Sequence, residues 1–182
     1  MNIIYKNDFI YDKSIFNSLS NDLSWISVTD TRHECFMSKN KISYTYGSGR
    51  GLRTYDSIVF NPIVESIINI LNDKYNCKYD ICFLNKYDNE KMHLGWHADD
   101  SPEIDLDHPI AVISLGAERE IWIKKIGFKG EIPEENKFLL KNGSLFIMPS
   151  GFQKYYLHKI PKWFKPCNTR ISLTFRKYNT NQ

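Results

Sequence analysis

The sequence lacks the features that mark several large classes of protein. Its 182 residues include only four cysteines, without a CxxC pair, which argues against a zinc ribbon or a disulfide framework. No apolar run approaches the roughly 18 residues of a membrane-spanning helix, and residues 1–16 lack the cationic start and apolar core of a secretory signal. We also find no internal repeat and no long linker. These absences predict a single domain over 1–182, reduced thiols and a soluble intracellular location in cytoplasm or nucleus.

The sequence also has little excess of positive over negative charge. The 24 Lys and Arg residues exceed the 21 Asp and Glu residues by three. That excess is weak evidence for a polyanionic partner, because a nucleic-acid footprint depends on clustering rather than on total charge. Apolar and aromatic residues are plentiful instead, with 42% hydrophobic residues, eleven Tyr, eleven Phe and four Trp. The chain can therefore bury a sizeable core.

Two helices are predicted ahead of a series of strands. Residues 14–23 carry apolar side chains at helical spacing. Asn61 is a suitable N-cap, and Pro62 suits the first turn of a helix that reaches about Tyr75. Apolar or alternating segments separated by turns then predict strands over 79–87, 110–115, 119–124, 144–148, 154–158 and 170–177. This order predicts an α+β chain built on a β-sandwich or barrel, with a jelly roll as the first choice.

His97, Asp99 and His158 are the clearest candidate metal ligands. Side chains alternate along a strand, so His97 and Asp99 are predicted to share one face, and His158 ends a later predicted strand. Two imidazoles and one carboxylate hold non-haem ferrous iron while leaving positions open for oxygen chemistry. The same set also suits hydrolytic zinc. The other histidines, His33, His93 and His108, are predicted to be surface or packing residues.

The segment 170–176 has the cleanest alternation in the chain. Its apolar residues are predicted to share one face, and the opposite face carries Arg170, Ser172, Thr174 and Arg176. Arginine binds a carboxylate through two parallel hydrogen bonds, whereas a solvated outer face would favour lysine with acidic neighbours. Asn85 and Tyr87 share a face of another predicted strand and could bond the same small acid. Together these residues predict a pocket for a dicarboxylate.

Residues 44–55 combine three tyrosines, three glycines and two arginines. Such a stretch suits stacking on bases and pairing with phosphate. The alternative is an ordinary surface loop whose tyrosines pack on the core. Arg50 and Arg53, with Lys39 and Lys41, are the candidate phosphate contacts.

Taken together, these segments resemble the AlkB family, the ferrous-iron and 2-oxoglutarate-dependent dioxygenases that repair alkylated nucleic acid. The resemblance runs from about Arg32 to Tyr178. It rests on Asn85-Lys86-Tyr87, His97-Ala98-Asp99-Asp100, the stretch 143–149, His158, and 170–176.

The resemblance implies a double-stranded β-helix (jelly-roll) core over about 79–178, with N-terminal helices and a nucleotide-recognition lid over about 30–60. It implies Fe(II) held by His97, Asp99 and His158, which are also the catalytic residues, and O2 as a co-substrate. It puts 2-oxoglutarate against Asn85, Tyr87, Arg170, Thr174 and Arg176. Asp100 matches the family position that contacts the exocyclic amine of the damaged base, and Tyr46 and Tyr55 both remain open as the stacking residue.

The implied function is oxidative demethylation of N1-methyladenine and N3-methylcytosine in DNA or RNA, with release of formaldehyde, succinate and CO2. The base would be flipped out or already single-stranded, and the protein would act as a monomer with no membrane partner. Two alternatives stay open. One is a hydroxylase of the same type that acts on a protein or a small molecule. The other is a non-catalytic jelly-roll module that binds nucleic acid.

Overall fold

The computed structural model describes residues 2–12, 14–46 and 52–179. In that part of the chain, fourteen strands accompany two helices, α1 (Ser14–Asp22) and α2 (Pro62–Tyr75). The strands are β1 (Ile4–Lys6), β2 (Ile26–Thr29), β3 (Arg32–Ser38), β4 (Ser43–Tyr46), β5 (Arg53–Asp56), β6 (Ile58–Val59), β7 (Ile81–Tyr87), β8 (Leu94–His97), β9 (Ile110–Gly116), β10 (Arg119–Lys125), β11 (Lys137–Leu140), β12 (Ser144–Met148), β13 (Tyr156–Ile160) and β14 (Arg170–Arg176).

The strands form two facing sheets and a separate hairpin. The large sheet has the order β1-β12-β9-β14-β7-β3-β2, and β6 pairs with β3 in parallel. The small sheet has the order β11-β10-β13-β8, and β4 pairs only with β5. Apolar side chains of both sheets share one core cluster, which places the small sheet over one face of the large sheet. The predicted α+β fold with a double-stranded β-helix core is confirmed.

The large sheet separates two kinds of interior. One face of its central strands packs against the helices through an apolar cluster that includes Leu84, Ile113, Leu173 and Leu71 of α2. The alternate residues of the same strands point towards the small sheet, and many of them are polar and buried: Glu34, Asn85, Ser114, Arg170, Ser172, Thr174 and Arg176. The period-two alternation of a strand thus places a polar cavity directly behind an apolar core.

Local sequence signals account for α2. The side chain of Asn61 accepts a hydrogen bond from the backbone N–H of Ile63 at 2.9 Å, and Pro62 occupies the first turn. The helix ends at Asn76, whose φ of 50° is a left-handed C-cap conformation of the kind that Asn tolerates better than most residues. The predicted helices over 14–23 and from Pro62 to Tyr75 are therefore confirmed, each within one residue of its expected end.

Five of the six predicted strands lie where they were expected, and one was misplaced. Gly151 has a φ of 72°, and a 3₁₀ turn occupies Phe152–Lys154. The strand predicted over 154–158 therefore begins only at Tyr156 and extends to Ile160, which places His158 in its middle. The sequence prediction missed β1 to β6 and β11, and it expected a strand at His97 and Asp99, where β8 ends at His97.

Residues 30–60, the expected lid, take two different forms. Part of this stretch is β3, which lies inside the large sheet between β7 and β2. The remainder includes the β4–β5 hairpin and the edge strand β6. A lid role thus stays a prediction for the hairpin. No helix in the described ranges is long and apolar enough to span a membrane.

Candidate metal centre and adjoining cavity

Strand pairing brings the two candidate histidine ligands together. β8 and β13 are neighbours in the small sheet, and His97 lies directly opposite His158. Their ring centroids are 4.2 Å apart. The pairing register, rather than any local signal in the sequence, creates this contact.

Asp99 joins the pair from outside the strand, and this corrects the sequence prediction. β8 ends at His97, so Asp99 does not share a strand face with it. Instead, the backbone N–H of Asp99 donates to Oε1 of Gln153 at 3.0 Å. A guanidinium nitrogen of Arg176 lies 2.8 Å from Asp99 Oδ1. Gln153 thus holds the backbone of Asp99 and Arg176 holds its carboxylate, from two other parts of the fold.

The three side chains could hold one metal ion. Nε2 of His97 lies 3.7 Å from Asp99 Oδ1, and Nε2 of His158 lies 3.8 Å from Asp99 Oδ2. The potential ligand atoms all lie within 4.8 Å of one another. Nδ1 of His97 is 2.8 Å from the Gly95 carbonyl oxygen, so a proton on Nδ1 leaves the Nε2 lone pair available. Asp99 Oδ2 is buried without a hydrogen-bond donor, which is typical of a carboxylate oxygen that binds a cation.

The protonation states at neutral pH also suit a cation. Burial alone raises the pKa of Asp99, but nearby positive charge, first that of the Arg176 guanidinium, lowers that pKa to about 2. Burial, with a contribution from His97, lowers the pKa of His158 to about 3. Burial lowers the pKa of His97 as well. An ionised carboxylate therefore faces two neutral imidazoles, which is the state that binds metal without first losing protons.

Arg170 provides the second notable group in the cavity. Its side chain is 0% exposed, and its Nε donates to Ser114 Oγ at 2.9 Å. Its guanidinium lies 5.4 Å from the centroid of the Tyr87 ring. Burial lowers the Arg170 pKa to about 10. Neither terminal nitrogen has an acceptor in good hydrogen-bond geometry, although the Tyr87 hydroxyl acts to raise this pKa, and a buried cation without a counter-charge is costly. This end of the cavity therefore fits the carboxylate of a small acid.

The two arginines of β14 lie at opposite ends of the cavity. They are six positions apart, or about 20 Å of extended strand, so they cannot clamp one carboxylate between them. Arg176 lies beside Asp99, at the candidate metal centre. Thr174 and Ser172 line the cavity between the arginines, with Asn85 and Tyr87 on the neighbouring strand β7. The other predicted 2-oxoglutarate residues thus line the same cavity.

Arg32 and Glu34 are cavity-side residues that the sequence reasoning missed. Nε of Arg32 donates to Asn85 Oδ1 at 3.0 Å, and the other end of its guanidinium pairs with Glu34. Glu34 also accepts a hydrogen bond from the Tyr55 hydroxyl and lies 3.3 Å from Arg53. The period-two pattern of β3, in which Cys35 and Met37 face the helices, was the signal that could have placed Arg32 and Glu34 on the cavity side.

The predicted substrate contacts fall into four groups. Asp100 is exposed next to the candidate metal centre. Tyr55 is buried, with its ring edge-on to Phe83 at 5.1 Å, so it supports the hairpin from inside and offers no open face to a base. Arg53 is partly exposed beside Glu34. Tyr46 ends β4 opposite Arg53, but its side chain, like the whole of Arg50, lies outside the described residues.

The remaining histidines lie outside the metal-ligand group. Among the described residues, that group comprises only His97, Asp99 and His158. Nε2 of His33 is 2.6 Å from Asp88 Oδ2. Nε2 of His108 accepts a hydrogen bond from the Lys78 backbone at 2.9 Å. Nδ1 of His93 lies 3.1 Å from the Lys91 carbonyl oxygen.

Known proteins of one kind match this chain over most of its length. It is 28% identical over 178 residues to "Alpha-ketoglutarate-dependent dioxygenase alkB homolog 3" of Bos taurus, and the aligned region covers 90% of this chain and 60% of that relative. It is 27% identical over 169 residues to "DNA oxidative demethylase ALKBH2" of Arabidopsis thaliana, covering 82% and 54%. This chain thus spans little more than half the length of these relatives.

A solved structure supports the same grouping at the level of fold. The structure of OsALKBH1 superposes with a TM-score of 0.67 over 96% of this chain and 97% of that chain, at 16% sequence identity. The family model described as 2OG-Fe(II) oxygenase superfamily matches residues 19–176. The resemblance to the AlkB family is confirmed, and this chain belongs to the 2OG-Fe(II) oxygenase superfamily.

Proposed function

We propose that this chain is a ferrous-iron and 2-oxoglutarate-dependent oxygenase that removes N-methyl groups from the bases of nucleic acid. One observation carries the proposal. A buried carboxylate between two neutral imidazoles shares a cavity with Arg170, a buried guanidinium whose terminal nitrogens have no acceptor. A metal ion would bind to the carboxylate and the imidazoles, and the carboxylate of a small acid would pair with the guanidinium. The family, whose name specifies iron and 2-oxoglutarate, favours iron over the zinc alternative.

His97, Asp99 and His158 would hold the iron. Iron bound there would supply the activation of O2, coupled to oxidative decarboxylation of 2-oxoglutarate. The protein's own contribution is placement. Gly95 orients the His97 ring, Gln153 and Arg176 hold Asp99, and the apolar side chains between the two sheets exclude water from the cavity.

Arg170 would bind the carboxylate of 2-oxoglutarate that lies far from the metal. The guanidinium stays fixed because Ser114 accepts from its Nε and the Tyr87 ring lies beneath it. Asn85, Tyr87 and Thr174 would line the chain of the acid, and Arg176 would act at the metal end. Since Arg170 is already buried, the acid would gain a charge-assisted bond at little further desolvation cost to the protein.

The reaction transfers one oxygen atom of O2 to succinate and the other to the methyl carbon of the substrate. The resulting carbinol loses its N–C bond, so formaldehyde leaves and the base regains its nitrogen proton or lone pair. The residues that face the substrate must therefore hold a methyl group next to the metal centre. N1-methyladenine and N3-methylcytosine carry positive charge, and the exposed carboxylate of Asp100 would favour such bases.

The hairpin would form the wall against the damaged base. Tyr46 and Arg53 lie opposite each other across β4 and β5, and they would contact the base and a phosphate respectively. Tyr55 would keep this wall in position through its bond to Glu34. The relative from Arabidopsis thaliana is named a DNA oxidative demethylase, which supports a nucleic-acid substrate. A flipped or single-stranded base would enter such a cavity at a cost of a few kcal/mol.

The test is anaerobic loading with Fe(II) and 2-oxoglutarate, addition of O2, and mass spectrometry of an oligonucleotide that carries one N1-methyladenine. We expect the loss of one methyl group, with one succinate and one formaldehyde formed per lesion. His97→Ala should abolish both metal binding and turnover. His93→Ala is the matched control, because it removes a nearby histidine that is outside the ligand group.

Other outcomes would contradict parts of the proposal. Normal demethylation by His97→Ala would remove the ligand assignment. Succinate release that a methylated oligonucleotide never stimulates would point to a protein or small-molecule substrate. Failure to bind iron at all would favour a non-catalytic module.

A further inference from the structure

The outer face of the small sheet carries an alternating row of lysines and tryptophans. Trp122 on β10 lies opposite Lys137 of β11 on one side and Lys159 of β13 on the other. Trp96 on β8 continues the row beyond Lys159. With Lys124 beside Trp96, we call these five residues the Lys–Trp row. Four neighbouring strands at about 4.8 Å spacing give the row a span of about 15 Å.

The ammonium groups of the row lie over the indole rings. Lys137 is 4.9 Å and Lys159 is 4.3 Å from the centroid of Trp122. Lys159 and Lys124 are each 4.8 Å from the centroid of Trp96. Cation–π contacts of this kind order flexible lysine stems, and a binding partner that meets ordered side chains loses less entropy than one that must order them.

Positive charge accumulates at one end of the row. At the far end, Lys137 pairs with Glu134, and Nε1 of Trp122 donates to Glu120 at 2.6 Å. At the Trp96 end, no described carboxylate lies within ion-pair distance of Lys124 or Lys159. Lys124 donates only to the Phe128 carbonyl oxygen, at 3.2 Å. Two like charges that share one aromatic ring without a counter-charge attract anions.

The charged end is also the end nearest the cavity. Trp96 precedes His97 in β8, and alternation along the strand sends Trp96 outward and His97 inward. A polymer that leaves the cavity past β8 would therefore meet Trp96, Lys124 and Lys159 first. Aromatic rings interleaved with cations, without a hydrogen-bond pattern that reads bases, are typical of surfaces for single-stranded nucleic acid.

We propose that the Lys–Trp row binds single-stranded nucleic acid whose damaged base occupies the cavity, with phosphates that draw the ammonium groups off the indole faces and bases that stack there in their place. The inference rests on the proposed function for the position of the damaged base. Binding of an unmodified strand, however, needs neither iron nor 2-oxoglutarate. The row can therefore be tested separately from catalysis.

The experiment measures the binding of a fluorescein-labelled, unmodified ten-nucleotide oligothymidylate to the full chain by anisotropy, without metal and over a range of salt concentrations. For a single strand, the slope of log K against log salt is about −0.7 per phosphate contact. The double variant Lys124→Gln/Lys159→Gln should therefore reduce the magnitude of the slope by about 1.4. Trp122→Leu should weaken binding about fivefold or more at every salt concentration without changing the slope, because it removes stacking rather than charge.

Matched variants separate charge from folding. Lys124→Arg/Lys159→Arg should restore binding, since it keeps both charges. Lys74→Gln should bind like the unchanged protein, because Lys74 also lies over an aromatic ring, 5.5 Å from the Phe9 centroid, but on the helix side. Melting curves check that each variant folds. If the Gln or Leu variants do not fold, the test uses Lys124→Arg/Lys159→Arg, which keeps both charges, and Trp122→Phe, which keeps an aromatic ring.

Three outcomes would overturn the row as a nucleic-acid site. One is equal binding by the Gln variant and the unchanged protein, and the second is no binding of the oligonucleotide by the unchanged protein. The third is that inorganic polyphosphate of matched charge displaces the labelled oligonucleotide as well as the unlabelled oligonucleotide does, which would show an anion surface without base stacking. None of these results would bear on demethylation, and loss of demethylation with intact, row-dependent binding would count against the proposed function alone.

Discussion

The two faces of the large sheet use the same strands for opposite purposes. On the helix side, β7, β9 and β14 present Leu84, Ile113 and Leu173 to α2 in a continuous apolar core. On the cavity side, the alternate positions of the same strands include polar residues that are nearly as buried, most of them on β14. The helix-side face gains stability from burial, whereas the cavity face gives up part of that gain in order to bind ions. The difference shows that burial alone does not tell which residues stabilise this fold.

The cavity face itself contains two kinds of polar group. Glu34 belongs to an ion-pair network in which Arg32, Arg53 and Tyr55 all contact its carboxylate. Arg170, by contrast, has terminal nitrogens with no acceptor. A buried charge that has counter-charges costs the structure less than a buried charge that has none, which destabilises it until a ligand binds. Substitutions on each face, and of each kind of polar group, test this difference.

The largest loss of stability is expected for Glu34→Ala. The Glu34 side chain is 1% exposed, and its removal leaves Arg32 buried without a counter-charge. Breaking one partner of a buried ion pair costs about 3–5 kcal/mol, so urea unfolding should show a loss of that size. Glu34→Gln, which keeps the shape and one acceptor, should lose less. A change below about 1 kcal/mol for the alanine variant would mean that the network contributes little and that the cavity face is uniform.

A loss of about 2–5 kcal/mol is expected for Leu173→Ala on the helix-side face. Leu173 is fully buried among the residues of the apolar cluster, and its truncation leaves a cavity that the packed helices cannot fill. The conservative Ile171→Val on the same face should cost only about 0.5–1.5 kcal/mol. Urea unfolding measures both, and iron binding at saturating metal should be unchanged in the folded proteins. Equal losses for the two variants would contradict a tightly packed core.

Features that depend on local signals could be predicted from the sequence, and features that depend on distant pairing could not. The alternation of β14 and the capping of α2 by Asn61 are local, and both were predicted. Glu34 lies opposite Asn85 only because β3 pairs with β7, so a stretch expected to form a lid instead contributes a wall of the cavity.

The candidate metal centre shows the same division. The residue types of His97, Asp99 and His158 could be read from the chain, but their arrangement could not. His158 faces His97 through the register of β13 on β8, and Asp99 is held by Gln153, which is 54 positions away. The 3₁₀ turn at 152–154, which carries Gln153, is also what displaced the predicted strand.

Arg170→Met should change stability in the opposite direction from the two large losses. The substitution replaces an unpaired buried cation by an apolar side chain of similar length, so the free energy of unfolding should stay the same or rise, by up to about 4 kcal/mol. Because the variant lacks the guanidinium that binds the acid, 2-oxoglutarate should no longer raise the melting temperature of Arg170→Met. For the unchanged protein, a ligand at 100 times its Kd stabilises by about 2.7 kcal/mol.

Ser114→Ala is the control for Arg170→Met. It removes only the acceptor of the Arg170 Nε and keeps the guanidinium. The 2-oxoglutarate shift should therefore shrink without disappearing. A full shift in Arg170→Met would show that this arginine does not bind the acid and that its unpaired nitrogens have another explanation.

The smallest expected effect concerns His108, a polar group at the margin of the helix-side core. Its ring lies edge-on to Tyr79 at 5.0 Å, and its Nε2 accepts from the Lys78 backbone N–H. Burial is the main cause that lowers its pKa below 6.5, so the unfolded chain binds a proton more readily than the folded one. The contribution of His108 to stability is therefore present above pH 6.5 and is lost as the pH falls through the folded-state pKa.

His108→Gln keeps an acceptor for the Lys78 N–H and removes this titration. The free energy of unfolding, measured in urea at several pH values below 6.5, should then fall less steeply with decreasing pH, by the equivalent of less than one proton. Iron binding at pH 7.5 should be unaffected, because His108 lies outside the metal-ligand group. His93→Gln serves as the control for histidine replacement in general. If His108→Gln keeps the full pH dependence, the titration below pH 6.5 belongs to the cavity histidines, and the helix-side face contributes to stability through packing alone.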